Sequence, residues 1–176
     1  MIIEASSRLL LPSLDELESV LSNLMDAPLL ADRYRKGSPL PEFYLAGLYC
    51  DQNDVLRSLI QVDFSFALYC GARLSLIPAG VIEESKASGE LTDTMIANVH
   101  EILNIFGLLF NEQRPNAPRA RLTKLVLVDE LPEEGQELLR SPGLQGIDVA
   151  VSWRDRRPVG ALSIRLLPKA PVDYAG

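Results

Sequence analysis

Hydrophobic positions change their spacing along the chain, and each change predicts a new element. Leucines recur at helical intervals from Leu14, so one face of a first helix is apolar. Ser13 and Glu16 have the S-x-x-E spacing of a capping box at its start, and Pro28 marks its end. The next segment, LLADRYRKGSPLPE, is broken by glycine and prolines and predicts a short strand followed by a loop.

The middle of the chain predicts a hairpin and then a helix. The runs EFYLAGLYC and VLRSLIQVD flank the polar stretch DQND, which is typical of two antiparallel strands joined by a turn. In FSFALYCGARLSLIP, Asp63 is positioned to cap a helix that Pro78 ends. Gly71 inside that helix costs about 1 kcal/mol relative to Ala, which a close contact with another helix would justify. We expect the next stretch, AGVIEESKASGEL, to be a turn-rich link.

A long helix is predicted to start at Thr92 or Asp93. Its amphipathic pattern runs from about Thr94 to Phe110. Its core stripe steps by four, three, four and three residues and consists of Met95, Val99, Ile102, Phe106 and Leu109. We expect Pro115 and Pro118 to prevent its continuation. The remaining chain predicts a strand in RARLTKLVLV, a short helix in LPEEGQELLRS, and a final hairpin formed by IDVAVSWRD and RPVGALSIRLL.

This order of elements predicts an α+β fold, a mostly antiparallel sheet with helices packed on one face. The length of 176 residues suits a single domain, 1–176. Within it, residues 1–12 are interpreted as an N-terminal extension and residues 168–176 as a loose tail.

Composition narrows the possible functions. The net charge of −7 argues against nucleic-acid binding. The charge is uneven, because residues 1–112 carry −9 and residues 113–176 carry +2. No apolar run reaches the roughly 20 residues of a membrane span, and the N-terminus does not have the pattern of a secretion signal, so we expect a cytoplasmic protein.

The cysteines and the single histidine do not indicate a metal site. Cys50 and Cys70 lie in apolar surroundings and are interpreted as buried, reduced thiols, with a disulfide as the alternative. The chain has one His and no paired-Cys spacing, so a protein-built zinc site is not expected.

Polar residues in the long helix are the main functional signal. Glu101 and Asn104 are three residues apart and therefore neighbours on one helix surface, with Asn98 and His100 beside them. One interpretation is an ordinary solvated stripe, with His100 as a surface or hydrogen-bonding residue. The other is a site, in which a carboxamide holds a water at a set angle while a carboxylate anchors a partner's Lys.

The sequence EILN, residues 101–104, resembles the E-x-x-N motif of the CheC/CheX/FliY chemotaxis phosphatases. The predicted order of elements is similar to that of CheX-like chains from about Leu14 to Leu167. The resemblance implies a CheC/CheX-like fold and hydrolysis of the aspartyl phosphate of a CheY-like response regulator. The chain has a single such motif, and in this respect it most resembles the CheX-like type. CheX-like proteins pair through their sheets, so the resemblance also implies a possible homodimer.

The resemblance also implies residue roles. Glu101 would pair with a basic side chain of the response regulator, and Asn104 would position the attacking water. Asn98, Ala97 and His100 would flank this site. The chain itself would need no cofactor or metal, because Mg²⁺ would belong to the phosphorylation site of the partner.

Two positions depart from the family pattern and keep an alternative open. Ala97 stands where an Asp or Ser is common, and Leu127 stands where a Pro is frequent. These departures favour a non-catalytic docking or scaffold module on the same fold. A small-ligand module unrelated to signalling has no motif in its support, because phosphate-binding glycine loops, nucleophile elbows and metal clusters are absent from the sequence.

Overall fold

The computed structural model describes residues 9–111, 119–131, 133–140 and 143–167. The elements in these ranges, in chain order, are α1 (Leu14–Met25), β1 (Leu29–Arg33), β2 (Phe43–Cys50), β3 (Leu56–Asp63), α2 (Phe64–Leu74), α3 (Ala79–Ser88), α4 (Asp93–Asn111), β4 (Arg121–Leu127), a 3-10 turn (Val128–Glu130), α5 (Glu133–Arg140), β5 (Gln145–Trp153) and β6 (Pro158–Leu166).

The six strands form one sheet in the order β1-β5-β6-β3-β2-β4, and each of these pairings is antiparallel. The core lies between one face of this sheet and helices α1, α2 and α4. Across the sheet the inward-facing residues are in register, as in the row Leu45, Val62, Leu162 and Val149. The predicted α+β class is therefore confirmed, and the short α5 borders the opposite sheet face.

Local capping signals act as the sequence predicts. The Ser13 N–H donates to Glu16 Oε2 at 2.7 Å and the Glu16 N–H donates to Ser13 Oγ at 3.2 Å, so both bonds of the capping box are formed. At α2, Asp63 Oδ1 accepts a bond of 2.8 Å from the Phe66 N–H. These bonds satisfy helix N–H groups that would otherwise have no partner.

The prediction for residues 79–91 is wrong, because Ala79–Ser88 form a helix and not a turn-rich link. The apolar residues of α3 are few, which hides the helical period. Val81 and Ile82 still pack against a small second core around Leu68 and Met95. Gly89 ends the helix with a positive φ of 72°, a conformation that glycine adopts without steric cost.

The chain ends lie partly outside the described residues. Residues 1–8 and 168–176, and the prolines at 115 and 118, fall there, so the predictions for them stay predictions. Leu9, in the predicted extension, is buried in the main core. Cys50 and Cys70 are both free, and burial raises the pKa of the Cys70 thiol far above its ordinary value.

Helices α2 and α4 pack unusually closely at Gly71. A Cβ added at Gly71 would lie 2.8 Å from the backbone carbonyl oxygen of Met95, closer than real Cβ atoms approach. The close helix contact that would justify this glycine is therefore present. Because the opposing atom belongs to the backbone, a side chain at position 71 forces the two helices apart.

The turn between β2 and β3 is organised by one buried carboxylate. Asp51 Oδ1 accepts hydrogen bonds from the Asn53 N–H at 2.8 Å and the Val55 N–H at 3.1 Å. Its Oδ2 accepts from Arg57 Nε at 2.7 Å and lies 2.6 Å from Arg57 Nη2. Burial alone would raise the pKa of Asp51, but these bonds outweigh burial and lower it below its ordinary value.

Replacing Gly71 by Ala tests the helix contact. The clash costs about 1–3 kcal/mol of overpacking, against a gain of about 1 kcal/mol in helix propensity. We expect Gly71→Ala to lower the free energy of unfolding by up to about 2 kcal/mol in urea titrations, the difference between the two terms. Gly80→Ala is the matched control, because a Cβ at that position of α3 meets nothing within 4 Å. Equal effects of the two substitutions would contradict the close approach.

Asp51 predicts a pH dependence of stability. Its folded-state pKa is lowered, so its contribution is fully present above the unfolded pKa of about 3.9 and is lost as the pH falls through the folded pKa. Asp51→Asn is expected to flatten the loss of stability below about pH 5, measured by urea unfolding at several pH values. Asp54→Asn, in the same turn but with a side chain 76% exposed, should keep the wild-type profile.

Candidate functional site

Helix α4 carries the predicted site on its outer side. The apolar inner side of the helix packs into the core. The Thr92 hydroxyl accepts a bond of 3.2 Å from the Met95 N–H at the start of the helix, as the sequence predicts. The predicted stripe of Met95, Val99, Ile102, Phe106 and Leu109 is buried throughout. Rotation of α4 about its axis is therefore opposed by a continuous apolar face.

Asn98 attaches α4 to α2. Its Nδ2 donates to the Gly71 carbonyl at 2.7 Å and to Ser75 Oγ at 2.8 Å. Gly71 lies in α2 and Ser75 caps the C-terminus of that helix, next to the close approach of Gly71 and Met95. The Asn98 amide is thus engaged with α2, and its side chain is half-buried beside the position of Glu101.

Tyr49 attaches α4 to the sheet from the other side. This residue of β2 is fully buried, and its hydroxyl donates to the Leu103 carbonyl oxygen in the middle of α4. Its ring also meets Phe110 edge-on, with 5.3 Å between ring centroids. Burial raises the pKa of Tyr49 well above its ordinary value, so the hydroxyl remains a protonated donor. The contact lies one residue before Asn104.

The outer surface of α4 presents a narrow stripe that we call the α4 stripe, formed by Ala97, Glu101, Asn104 and Leu108. These four residues step by four, three and four, so they are neighbours along one side of the helix. All four are exposed, and the Glu101 side chain is 62% exposed. The structure thus places Glu101 and Asn104 together at the surface.

Among the described residues, no group forms a hydrogen bond with the carboxamide of Asn104. Asn98, six residues earlier, uses its own amide in two bonds. His100 lies beside the stripe, with 3.9 Å between its Nδ1 and Glu101 Oε1, and is 46% exposed. At that distance and exposure the pair is weak, so Glu101 is free to meet a cation from outside.

Leu108 was not identified from the sequence. It is 53% exposed, one turn beyond Asn104, and gives the stripe an apolar end. Its signal is visible in the pattern, because position 108 lies outside the core stripe yet carries a large apolar residue. Tyr49 was also missed, since a tyrosine in a strand gives no sequence sign of which helix carbonyl it bonds.

The three clefts lined by described residues do not include the α4 stripe. They have volumes of about 310, 290 and 280 Å³, and none of their described lining residues belongs to the stripe. In the described ranges, no group of three or more His, Cys, Asp or Glu side chains is arranged to hold a metal ion. Nor does any described helix combine the length and apolarity that crossing a membrane requires.

No protein-family model matches the chain, and no curated protein matches it significantly. Several solved structures do match the chain. The FliM middle domain from H. pylori is similar at a TM-score of 0.59 and 12% identity, covering 87% of this chain and 84% of that chain. FliM in the FliG–FliM complex from H. pylori gives the same TM-score and identity, covering 87% and 85%.

A chain of the CheX–CheY–BeF3–Mg complex from Borrelia burgdorferi matches at a TM-score of 0.49 and 14% identity, covering 84% of this chain and 89% of that chain. The FliM similarities span nearly the whole fold at low identity, so they show architecture and not activity. The protein has the CheC/FliM-like fold that the resemblance to the CheC/CheX/FliY proteins predicts.

Proposed function

We propose that this protein is a chemotaxis-type signalling protein that hydrolyses the aspartyl phosphate of a CheY-like response regulator. The observation that supports the proposal most directly is the joint exposure of Glu101 and the unengaged amide of Asn104 on a rigidly held helix. The resemblance of residues 101–104 to the E-x-x-N motif supplies the reaction type.

In the proposed reaction, Asn104 positions a water molecule against the phosphoryl group of the partner. Its carboxamide offers both a donor and an acceptor, so it orients the water without taking its proton. The water oxygen forms a bond to phosphorus while the bond from phosphorus to the aspartyl oxygen breaks. The products are a free aspartate carboxylate and inorganic phosphate, which keeps both protons of the water. Positioning of this kind supplies most of the catalysis in phosphoryl transfer.

Glu101 serves a separate purpose in the proposal. Its carboxylate lies one turn before Asn104 on the same side of α4 and pairs with a Lys or Arg of the receiver domain. This contact holds the stripe against the partner and points Asn104 at the phosphoryl group. Ala97 leaves room on one side of Glu101, and Leu108 offers an apolar contact beyond Asn104.

The partner would bring the remaining chemistry. A phosphorylated receiver domain binds Mg²⁺ beside its phosphorylated aspartate, so the proposal places the metal on the partner and none on this chain. A receiver of this type also implies a cytoplasmic location. A homodimer formed through the sheet would use β1 or β4, the two strands at its edges.

A non-catalytic docking module is the second candidate function. The exposed Leu108 on the stripe favours it, because an apolar residue contributes to binding and not to water activation. FliM structures of similar fold include complexes with FliG and with SpeE, which supports assembly as a use of such a domain. Turnover measurements separate the two functions.

Asn104→Ala tests the hydrolytic role. We expect the wild-type protein to accelerate loss of phosphate from ³²P-labelled CheY-like receivers, and Asn104→Ala to reduce that acceleration by about 100-fold, the typical effect of removing one positioned polar group. Asn98→Ala is the matched control, since its amide holds α2 and should alter stability more than rate. Wild-type protein that binds a phosphorylated receiver without accelerating its decay would identify a docking module.

Glu101→Lys tests the proposed cation contact. Reversing this charge should weaken receiver binding by about 10-fold or more in titration calorimetry, because a Lys would face the basic side chain of the partner. The control is Glu84→Lys, which makes the same change in net charge at an exposed position of α3, away from the stripe. If both variants weaken binding equally, only long-range attraction is involved and the local pairing is wrong.

A further inference from the structure

A cleft of about 280 Å³ lies on the sheet face opposite α4. Strands β3 and β6 form its floor, and α5 and residues 40–43 border its sides. Its described lining residues are Leu40, Pro41, Phe43, Gln61, Val128, Gln136, Leu139, Arg140, Ser163 and Arg165. The cleft shares none of these residues with the α4 stripe.

Two polar side chains, Gln61 and Ser163, form part of the floor. Gln61 on β3 and Ser163 on β6 are direct neighbours in the sheet register. They are 7% and 1% exposed, and Ser163 Oγ is a buried atom without a hydrogen-bond partner among the described residues. Leaving a buried hydroxyl unsatisfied costs about 1–3 kcal/mol, so Ser163 indicates a polar group that enters the cleft from outside. No described group bonds the Gln61 carboxamide beside it, so this amide can bond the same ligand.

The same sheet face has both apolar and charged neighbours of this pair. Ala46, Leu59 and Ala161 are at most 1% exposed. Asp148 is the register neighbour of Ser163 on β5, but its carboxylate pairs with Arg165. None of these neighbours therefore supplies a partner for the Ser163 hydroxyl.

The described lining is also positively charged. It contains the guanidinium groups of Arg140 and Arg165 and no carboxylate. Arg165 is engaged, because its Nη2 lies 2.7 Å from Asp148 Oδ1 and its Nη1 donates to the Ile164 carbonyl at 3.1 Å. Arg140 is exposed and forms no ion pair with any described residue. Because Asp148 neutralises Arg165, the unpaired positive charge among the described lining residues is that of Arg140 alone. One such cation at a cleft on a chain with a net charge of −7 favours an anionic ligand of low charge.

We propose that this cleft binds a small organic carboxylate. The carboxylate oxygens accept hydrogen bonds from the Ser163 hydroxyl and the Gln61 amide and pair with Arg140. Phe43, Pro41 and Leu139 provide apolar walls for the body of the ligand. One free guanidinium, neutral donors and apolar walls match a singly charged carboxylate better than phosphate, which prefers several cations or a row of backbone N–H groups.

The test uses benzoate and 4-methylpentanoate as probes, titrated into the full chain and followed by NMR chemical shifts. Benzamide is the uncharged match of benzoate, and inorganic phosphate is the competing anion. We expect saturable shifts at residues around Ser163 with both carboxylates, and binding at least about 10-fold weaker with benzamide and with phosphate, as expected for a lost charged hydrogen bond.

Variants separate a ligand role from a structural one. Arg140→Gln should weaken benzoate binding by about 10-fold with little change in unfolding, because Arg140 is exposed. Ser163→Ala should raise the thermal unfolding midpoint of the free protein and weaken benzoate binding, since it removes an unsatisfied buried hydroxyl that the ligand needs. Asn104→Ala should leave benzoate binding unchanged.

Several outcomes would overturn this proposal. Absence of saturable binding by either carboxylate means that the cleft holds only water. Benzoate affinity that survives Arg140→Gln and Ser163→Ala places the probe elsewhere, and phosphate binding as tight as benzoate removes the preference for a carboxylate. None of these results bears on receiver dephosphorylation, which depends on the other side of the sheet.

Discussion

The structure depends on the attachment of α4 from two sides. On one side the backbone at Met95 lies so close to Gly71 that no side chain fits between, and Asn98 adds two hydrogen bonds to α2. On the other side the buried hydroxyl of Tyr49 bonds the Leu103 carbonyl. Together these contacts set the depth and rotation of the helix. The identity of the exposed residues follows from that rotation, so the α4 stripe is a consequence of packing on the hidden side of the helix.

Much of this arrangement was predictable because it depends on local periodicity. The buried stripe of α4, the capping box of α1 and the β2–β3 hairpin each follow from the spacing of a few residues, and a helix neighbour for Gly71 followed from the cost of that residue. Helix α3 was missed because its contacts with the second core involve only Val81 and Ile82, too few to show a period. The bonds of Asn98 to α2 were not predictable, since sequence distance alone does not reveal which neighbour its amide bonds.

The two sides of the sheet illustrate a further limit of pattern reading. A polar residue that alternates with apolar ones in a strand has the same pattern whether it faces water or a covered cleft, so Gln61 and Ser163 gave no signal. Their burial results from α5 and residues 40–43, which are distant in sequence. The α4 stripe and this cleft are thus separate surfaces on opposite faces of one sheet. The first suits a macromolecular partner, and the second suits a small molecule.

The spacing between the attachments of α4 has an evolutionary consequence. Met95 and Leu103 are separated by eight residues, about 12 Å of helix. One inserted or deleted residue between them would turn everything beyond it by about 100° relative to the Met95 attachment, which would move Leu103 away from the Tyr49 hydroxyl and Asn104 away from its exposed position. Homologous chains that keep this architecture should therefore tolerate length changes in the connections flanking α4 but none within these two turns.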